Sequence, residues 1–113
     1  MATERPITRQ RRLDPRRQPK GSVRIACRKG DLDLGPNLSV GSVDLSETGV
    51  RLQLTTHLTP RQEVTLTLDG PNHRRPIKRH ARVIWCVPAH EGGFYVGLQF
   101  EKRLGYADLI KFV

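Results

Sequence analysis

Two groups of residues in this 113-residue chain have types and spacings that could support binding chemistry. The first is the segment RRLDPR near the N-terminus, which contains Arg11, Arg12 and Arg16. Arginine is permanently charged and donates hydrogen bonds in a planar fork that matches phosphate oxygens. A bend at Pro15 could bring Arg12 and Arg16 onto one anion. The alternative is a solvated basic tail.

The second group is the segment DLSETG, which contains Asp44, Ser46 and Gly49. An aspartate can accept hydrogen bonds, a serine can donate or accept them, and a glycine permits a close backbone approach or a positive φ. The same residue types are common in ordinary turns between strands. Neither group alone therefore predicts a site, and their pairing is the informative feature.

The charge of the chain predicts an anionic target. It has 20 Lys and Arg against 11 Asp and Glu, a net charge of +9, which favours phosphates of nucleic acid, a nucleotide or an anionic lipid surface. Residues 1–20 hold seven basic and two acidic residues, and they are too polar to offset their ordering entropy by burial. We predict a flexible basic arm over residues 1–20 and one folded domain over residues 21–113.

The elements that must position these residues are strands. Six segments alternate apolar and polar residues with a period of two, as half-buried strands do. They are Ser22–Arg28, Leu38–Val43, Val50–Leu54, Val64–Leu68, Ile77–Val87 and Phe94–Phe100. Turn residues separate them at short intervals, which predicts an all-β fold, a small six-stranded antiparallel β-barrel.

Details of the barrel bear on where a site could lie. In the fifth strand the alternation places Ala81, Val83, Trp85 and Val87 on one face. A short helix is predicted to begin near Gly105 and to cover one end of the barrel. A barrel of this size has no room for a ligand inside, so we expect the site on its surface or rim.

Several classes of protein are disfavoured by the sequence. It contains no apolar run of about 18 residues and no secretory leader, so we expect a cytosolic protein without a membrane span. Cys27 and Cys86 lie within strand patterns and are expected to be buried free thiols. The four histidines are dispersed, and no catalytic set of residues appears, so we expect neither a metal site nor an enzyme.

The two motifs together resemble a known family. RRLDPR looks like the RRxxxR arm of bacterial PilZ domains, and DLSETG looks like their (D/N)xSxxG motif, with every specified position matched. The segments ARVIW and VGLQF look like later strands of the same barrel. The resemblance covers residues 9–113 and implies a receptor for the bacterial second messenger cyclic di-GMP.

The resemblance also implies roles for the motif residues. Cyclic di-GMP presents two phosphates and two guanines, and we expect Arg12 and Arg16 to bind phosphates and guanine edges. Asp44 can accept hydrogen bonds from guanine N1 and N2, and Ser46 and Gly49 would complete a guanine pocket. No cofactor other than this ligand is expected.

Two further residues are implicated by the resemblance. In this family, an arginine just before RxxxR is associated with an intercalated dimer of cyclic di-GMP, and Arg11 holds that position, which predicts two ligands per protein. Trp85 could contact a guanine, as the tryptophan at this position does in some members. The alternatives are a solvated Arg11 and a core or rim Trp85.

The predicted function is that of a receptor or adaptor module whose arm folds over the ligand and changes the surface shown to an unidentified partner protein. One alternative is a basic barrel that binds single-stranded nucleic acid, but six aromatic residues are few for a stacking platform, so no nucleic acid is expected as partner. The other is a PilZ domain that acts as an interaction module without a ligand.

Overall fold

A computed structural model describes residues 16–113 of the chain. Within these residues, six strands and one short helix follow one another in sequence. They are β1 Arg24–Lys29, β2 Ser39–Leu45, β3 Gly49–Leu54, β4 Glu63–Asp69, β5 Ile77–Pro88, β6 Phe94–Phe100 and α1 Tyr106–Leu109. All neighbouring strands are antiparallel, in the order β1-β4-β5-β6-β3-β2, which confirms the predicted six-stranded β-barrel.

The barrel is nearly closed, and the remaining gap lies between its edge strands β1 and β2. At one end of this gap, the Leu38 amide donates to the Cys27 carbonyl at 2.8 Å. The Cys27 amide donates to Asn37 Oδ1 at 2.9 Å. At the other end, Arg17 forms an antiparallel bridge with Leu45. We call the stretch between these two closures the seam.

The core follows from the two-residue alternation of the strands. In β3, for example, Val50, Leu52 and Leu54 are fully buried, whereas the residues between them are partly exposed. Phe112, which follows α1, is also fully buried and packs near Gly70 at the end of β4. The C-terminal residues thus cover one end of the barrel, as expected. The helix itself is only four residues long.

The two cysteines differ in their burial. Both are free, but Cys27 is fully buried, whereas Cys86 is partly buried against the core. Burial raises the pKa of the Cys27 thiol to about 12, although the charge of Arg28 opposes this shift. The prediction of a buried free thiol is therefore confirmed for Cys27 and only partly for Cys86.

Three β-bulges decide which side chains point outward. The register shifts leave Val40 and Val43 as extra residues in β2 and Ile84 as an extra residue in β5. All three are apolar and well exposed. A bulge reverses the face of every residue that follows it in the strand. The bulges therefore determine the orientation of Asp44 and Trp85.

The predicted common face for Ala81, Val83, Trp85 and Val87 is wrong because of the bulge at Ile84. Ala81 and Val83 are buried, but Trp85 pairs with Gly97 on the outer face and Val87 is 46% exposed. The register of the strand explains the change, since two residues of β5 oppose one of β6 at this point. A strict period of two predicts no such reversal.

The described part of the predicted arm lies against the barrel. The Arg17 amide donates to the Leu45 carbonyl at 2.8 Å, and the Leu45 amide donates to the Arg17 carbonyl at 2.7 Å. Pro19 is buried, and the Lys20 amide donates to the Phe112 carbonyl at 2.8 Å. The proposed boundary between residues 20 and 21 stays a prediction.

Within residues 16–113 no helix is long and apolar enough to cross a membrane.

Candidate functional site

The turn between β2 and β3 is built by Ser46 and held from within. The Ser46 hydroxyl accepts from the amides of Gly49 at 3.2 Å and Thr48 at 3.3 Å, and it lies 3.3 Å from the Gly49 carbonyl, to which it can donate. The Ser46 amide also donates to the Gly49 carbonyl, at 2.9 Å. Ser46 is only 1% exposed. Its hydrogen-bonding capacity is thus used largely within the turn.

Neighbouring chain segments fix the same turn from outside. A Cβ atom on Gly49 would overlap the Leu98 carbonyl of β6, so only glycine fits this position without a shift of the backbone. The Phe100 amide donates to the Thr48 carbonyl at 2.8 Å, and the Leu104 amide donates to the Glu47 carbonyl at 2.8 Å. The backbone of Gly49 thus lies close to β6, and its φ is not positive. Its role beside a guanine stays a prediction.

Asp44 lies just before this turn and accepts hydrogen bonds from two arginines. Arg16 Nη1 donates to Asp44 Oδ1 at 3.0 Å. Arg51 donates to Asp44 Oδ2 through Nε at 2.6 Å and through Nη2. The bulge at Val43 places Asp44 opposite Arg51 of β3 on the outer face, while Leu45 opposes the buried Val50. We call these three residues the Asp44 cluster.

The Asp44 cluster combines a buried acceptor with accessible donors. The Asp44 side chain is 10% exposed, whereas those of Arg16 and Arg51 are 42% and 41% exposed. Hydrogen bonding to the Asp44 carboxylate is the main cause that raises the pKa of Arg51 above its ordinary value. Both arginine side chains are thus partly open to solvent, where an anion could reach them.

Trp85 lies on the same outer face, two strands away from Arg51. Arg51 pairs with Gly97 of β6, and Gly97 pairs with Trp85 of β5. A Cβ atom on Gly97 would overlap the Trp85 indole, which shows that the ring lies across the glycine. Asp44, Arg51, Gly97 and Trp85 thus form one row across four strands. The row joins charged groups to a flat aromatic surface.

The structure brings together most of the described residues that the sequence singled out. Arg16 and Asp44 come from the two different motifs and are in contact, although 28 residues separate them in the chain. Ser46 and Gly49 form the adjoining turn. Arg11 and Arg12 lie outside the described residues. The role of every one of these residues in binding stays a prediction.

Sequence reasoning missed Arg51. The alternation in β3 indicates that its side chain points outward, since Val50 and Leu52 on either side are buried. That signal does not say which residue lies opposite. The pairing with Asp44 depends on the bulge at Val43, and a bulge leaves no clear mark in a single sequence.

Within the described residues, no three His, Cys, Asp or Glu side chains are grouped as metal ligands.

Comparison with known proteins identifies a family. The sequence model of the PilZ domain matches residues 10–111, which is nearly the whole chain and includes both motifs. No curated protein and no solved structure matches the chain significantly.

Proposed function

Because the chain belongs to the PilZ domain family, a family of cyclic di-GMP-binding modules and not of enzymes, we propose that it is a cyclic di-GMP receptor. The proposed site comprises Arg11, Arg12 and Arg16 of the arm together with Asp44 and the adjoining turn. The proposal rests chiefly on one observation, the 3.0 Å contact between Arg16 and Asp44, which joins the two motifs on the outer face of the barrel.

Ligand binding exchanges partners within the Asp44 cluster. Arg16 Nη1 turns from Asp44 Oδ1 to a phosphate of the ligand, and a guanine presents its N1 and N2 donors to the oxygen that Arg16 has left. Arg51, which contacts Oδ2, holds the carboxylate in place during this exchange. The exchange replaces one ion pair by several charge-assisted contacts, so it favours the bound state.

Covalent geometry keeps Arg12 within reach of the same ligand. Arg12 precedes Arg16 by four residues, so their Cα atoms can lie at most about 14 Å apart. The long side chains of both arginines can reach across much of that distance. The main-chain bridge between Arg17 and Leu45 fixes the described end of the arm beside Asp44. We propose that the arm folds over the ligand and thereby changes the surface presented to a partner protein.

Trp85 and the turn residues complete the proposed site. The indole lies in the same cross-strand row as Asp44, and a guanine that contacts Asp44 could extend along the row toward it. Ser46 and Gly49 contribute through the turn that they build, which fixes the backbone beside Asp44. Arg11 gives the site a further basic side chain next to Arg12, which favours a second, intercalated ligand.

The expected affinity is micromolar or somewhat tighter. Charge-assisted contacts stabilise the complex by roughly 1–3 kcal/mol each, and ordering the arm costs about 1–2 kcal/mol per fixed residue. A dissociation constant near 1 μM corresponds to about −8 kcal/mol. Titration calorimetry at low salt measures it directly. Absence of heat with cyclic di-GMP at tens of micromolar contradicts the proposal.

Two controls make the titration specific. Cyclic di-AMP has the same ring of phosphates, but its adenines lack the N1 and N2 donors of guanine, so it should bind far more weakly. The Arg11→Leu variant should reduce the stoichiometry from two ligands to one. Equal, steeply salt-dependent binding of unrelated oligonucleotides would instead favour the nucleic-acid alternative. Trp85 is the only tryptophan, so its fluorescence reports a guanine that stacks nearby.

A further inference from the structure

The seam between β1 and β2 is an opening on the described part of the barrel that the candidate site does not use. It forms a cleft of about 580 Å³ lined by β1, β2 and residues 18–21. The closures at Cys27 and at Leu45 bound it along the barrel wall. Between them, Arg24–Ala26 of β1 faces Ser39–Ser42 of β2 across the cleft.

Both walls of the seam are strand edges. Within residues 16–113, β1 pairs with β4 and β2 pairs with β3, and neither forms a ladder along its other edge. An edge of this kind offers backbone N–H and C=O groups to an additional strand. We therefore propose that the seam binds an extended, acidic peptide segment of a partner protein, which adds to the exposed edge of β2.

The basic residues that line the seam favour a negatively charged peptide. Lys20, Arg24 and Arg28 line the cleft, and among the lining residues that the structure describes Asp69 is the one acidic residue. A peptide that carries glutamate or aspartate is attracted to such a surface, whereas a basic peptide is repelled. The basic composition of residues 1–15 makes this chain's own N-terminus a poor electrostatic match for the cleft.

The bulges of β2 favour a short partner segment over a second copy of this chain. Val40 and Val43 interrupt the regular edge, and bulges of this kind disfavour continuous pairing between identical strands. The same bulges expose Val40 to 61% and Val43 to 39%, which gives apolar contacts for alternate side chains of the added peptide. About four residues fit between the closures at a rise of about 3.3 Å each.

The test uses an eight-residue peptide in which glutamate alternates with valine and threonine and both ends are capped. The peptide is added to the ¹⁵N-labelled full chain without cyclic di-GMP, and the amide signals are followed by NMR. We expect saturable amide shifts in Arg24–Ala26 and Ser39–Val43 at peptide concentrations below about 1 mM. The peptide with lysine in place of glutamate should bind at least about tenfold more weakly. N-methylation of alternate peptide amides, which removes backbone donors, should abolish the shifts.

Variants of the protein separate this proposal from general basic attraction. Arg24→Glu should weaken binding about tenfold, whereas the matched charge reversal Arg75→Glu, at an exposed position outside the seam, should have little effect. No saturable shifts, shifts outside the seam, or equal effects of both variants overturn the proposal. So does a dimer of the free protein whose interface contains the β2 amides. Cyclic di-GMP is absent throughout, so failure here leaves the receptor function untouched.

Discussion

The segment Asp44 to Gly49 contains two neighbouring regions with opposite properties. In the turn, the Ser46 hydroxyl is buried and bonded to the Thr48 and Gly49 amides within the same turn. In the Asp44 cluster, by contrast, a carboxylate is bonded to two long side chains that are about two-fifths exposed. The first region has partners that are fixed by the backbone, and the second has partners that can leave.

This difference indicates that the turn contributes mainly to stability and the Asp44 cluster mainly to binding. Groups that are bonded inside a rigid turn contribute to stability, and their removal leaves buried polar atoms without partners. Exposed ion pairs contribute little to stability, since water screens them, but their members are free to exchange onto a ligand. We therefore expect substitutions in the turn to change folding and substitutions in the Asp44 cluster to change binding.

The largest effect is expected for Gly49→Ala. The new methyl group would overlap the Leu98 carbonyl, and strand β3 must move away from β6 to relieve the contact. We expect the free energy of unfolding in urea to fall by about 3 kcal/mol. Gly41→Ala is the matched control in the neighbouring strand, because nothing lies within 4 Å of its new Cβ atom. Equal effects of the two changes would mean that Gly49 is not sterically required.

Ser46→Ala should have the next largest effect. It removes the acceptor for the amides of Thr48 and Gly49 in a position that is 1% exposed. We expect a loss of about 2 kcal/mol in unfolding free energy, measured in urea, with the affinity of the folded protein for cyclic di-GMP nearly unchanged. The exposed Ser22→Ala serves as control. A large loss of affinity without destabilisation would place Ser46 among the ligand contacts instead.

Much of the fold could be predicted from the sequence because alternation records burial directly. The sequence predicts all six strands within two residues of their bounds, since buried residues such as Val50 and Leu66 repeat every second position. The orientation of Trp85 could not be predicted in this way. One extra residue, Ile84, reverses the faces that follow it, and the hydrophobicity of the strand does not mark it.

The candidate site was predictable only in part, for a similar physical reason. The residue types of Arg16 and Asp44 indicate complementary charge, and the motifs that contain them indicate that they belong together. Arg51 could be placed on the outer face but not next to Asp44, because that contact is set by strand register across the bulge at Val43. Register depends on the whole sheet and cannot be obtained from one strand alone.

Arg51→Ala tests the inner pair of the Asp44 cluster. Arg51 donates twice to Asp44 Oδ2, so its loss should lower the unfolding free energy by about 1 kcal/mol. This loss is smaller than for a fully buried ion pair, because the Arg51 side chain is 41% exposed. The affinity for cyclic di-GMP should fall about tenfold, because Asp44 is less well positioned. Arg51→Lys, which keeps the charge without the planar fork, should give intermediate values. Unchanged affinity in a folded protein would remove Arg51 from the site.

Arg16→Ala should have the smallest effect on stability and the largest on binding. The Arg16 side chain is 42% exposed, and Asp44 keeps its hydrogen bonds from Arg51 in this variant, so the unfolding free energy should change by less than about 0.5 kcal/mol. Affinity for cyclic di-GMP should fall by about a hundredfold, because the ligand loses the charge-assisted phosphate contact that Arg16 supplies. Arg17→Ala is the matched control, since Arg17 bridges Leu45 through its main chain. If Arg16→Ala instead destabilises the fold as much as Arg51→Ala while affinity is retained, the exchange of partners at Asp44 is wrong and Arg16 is structural.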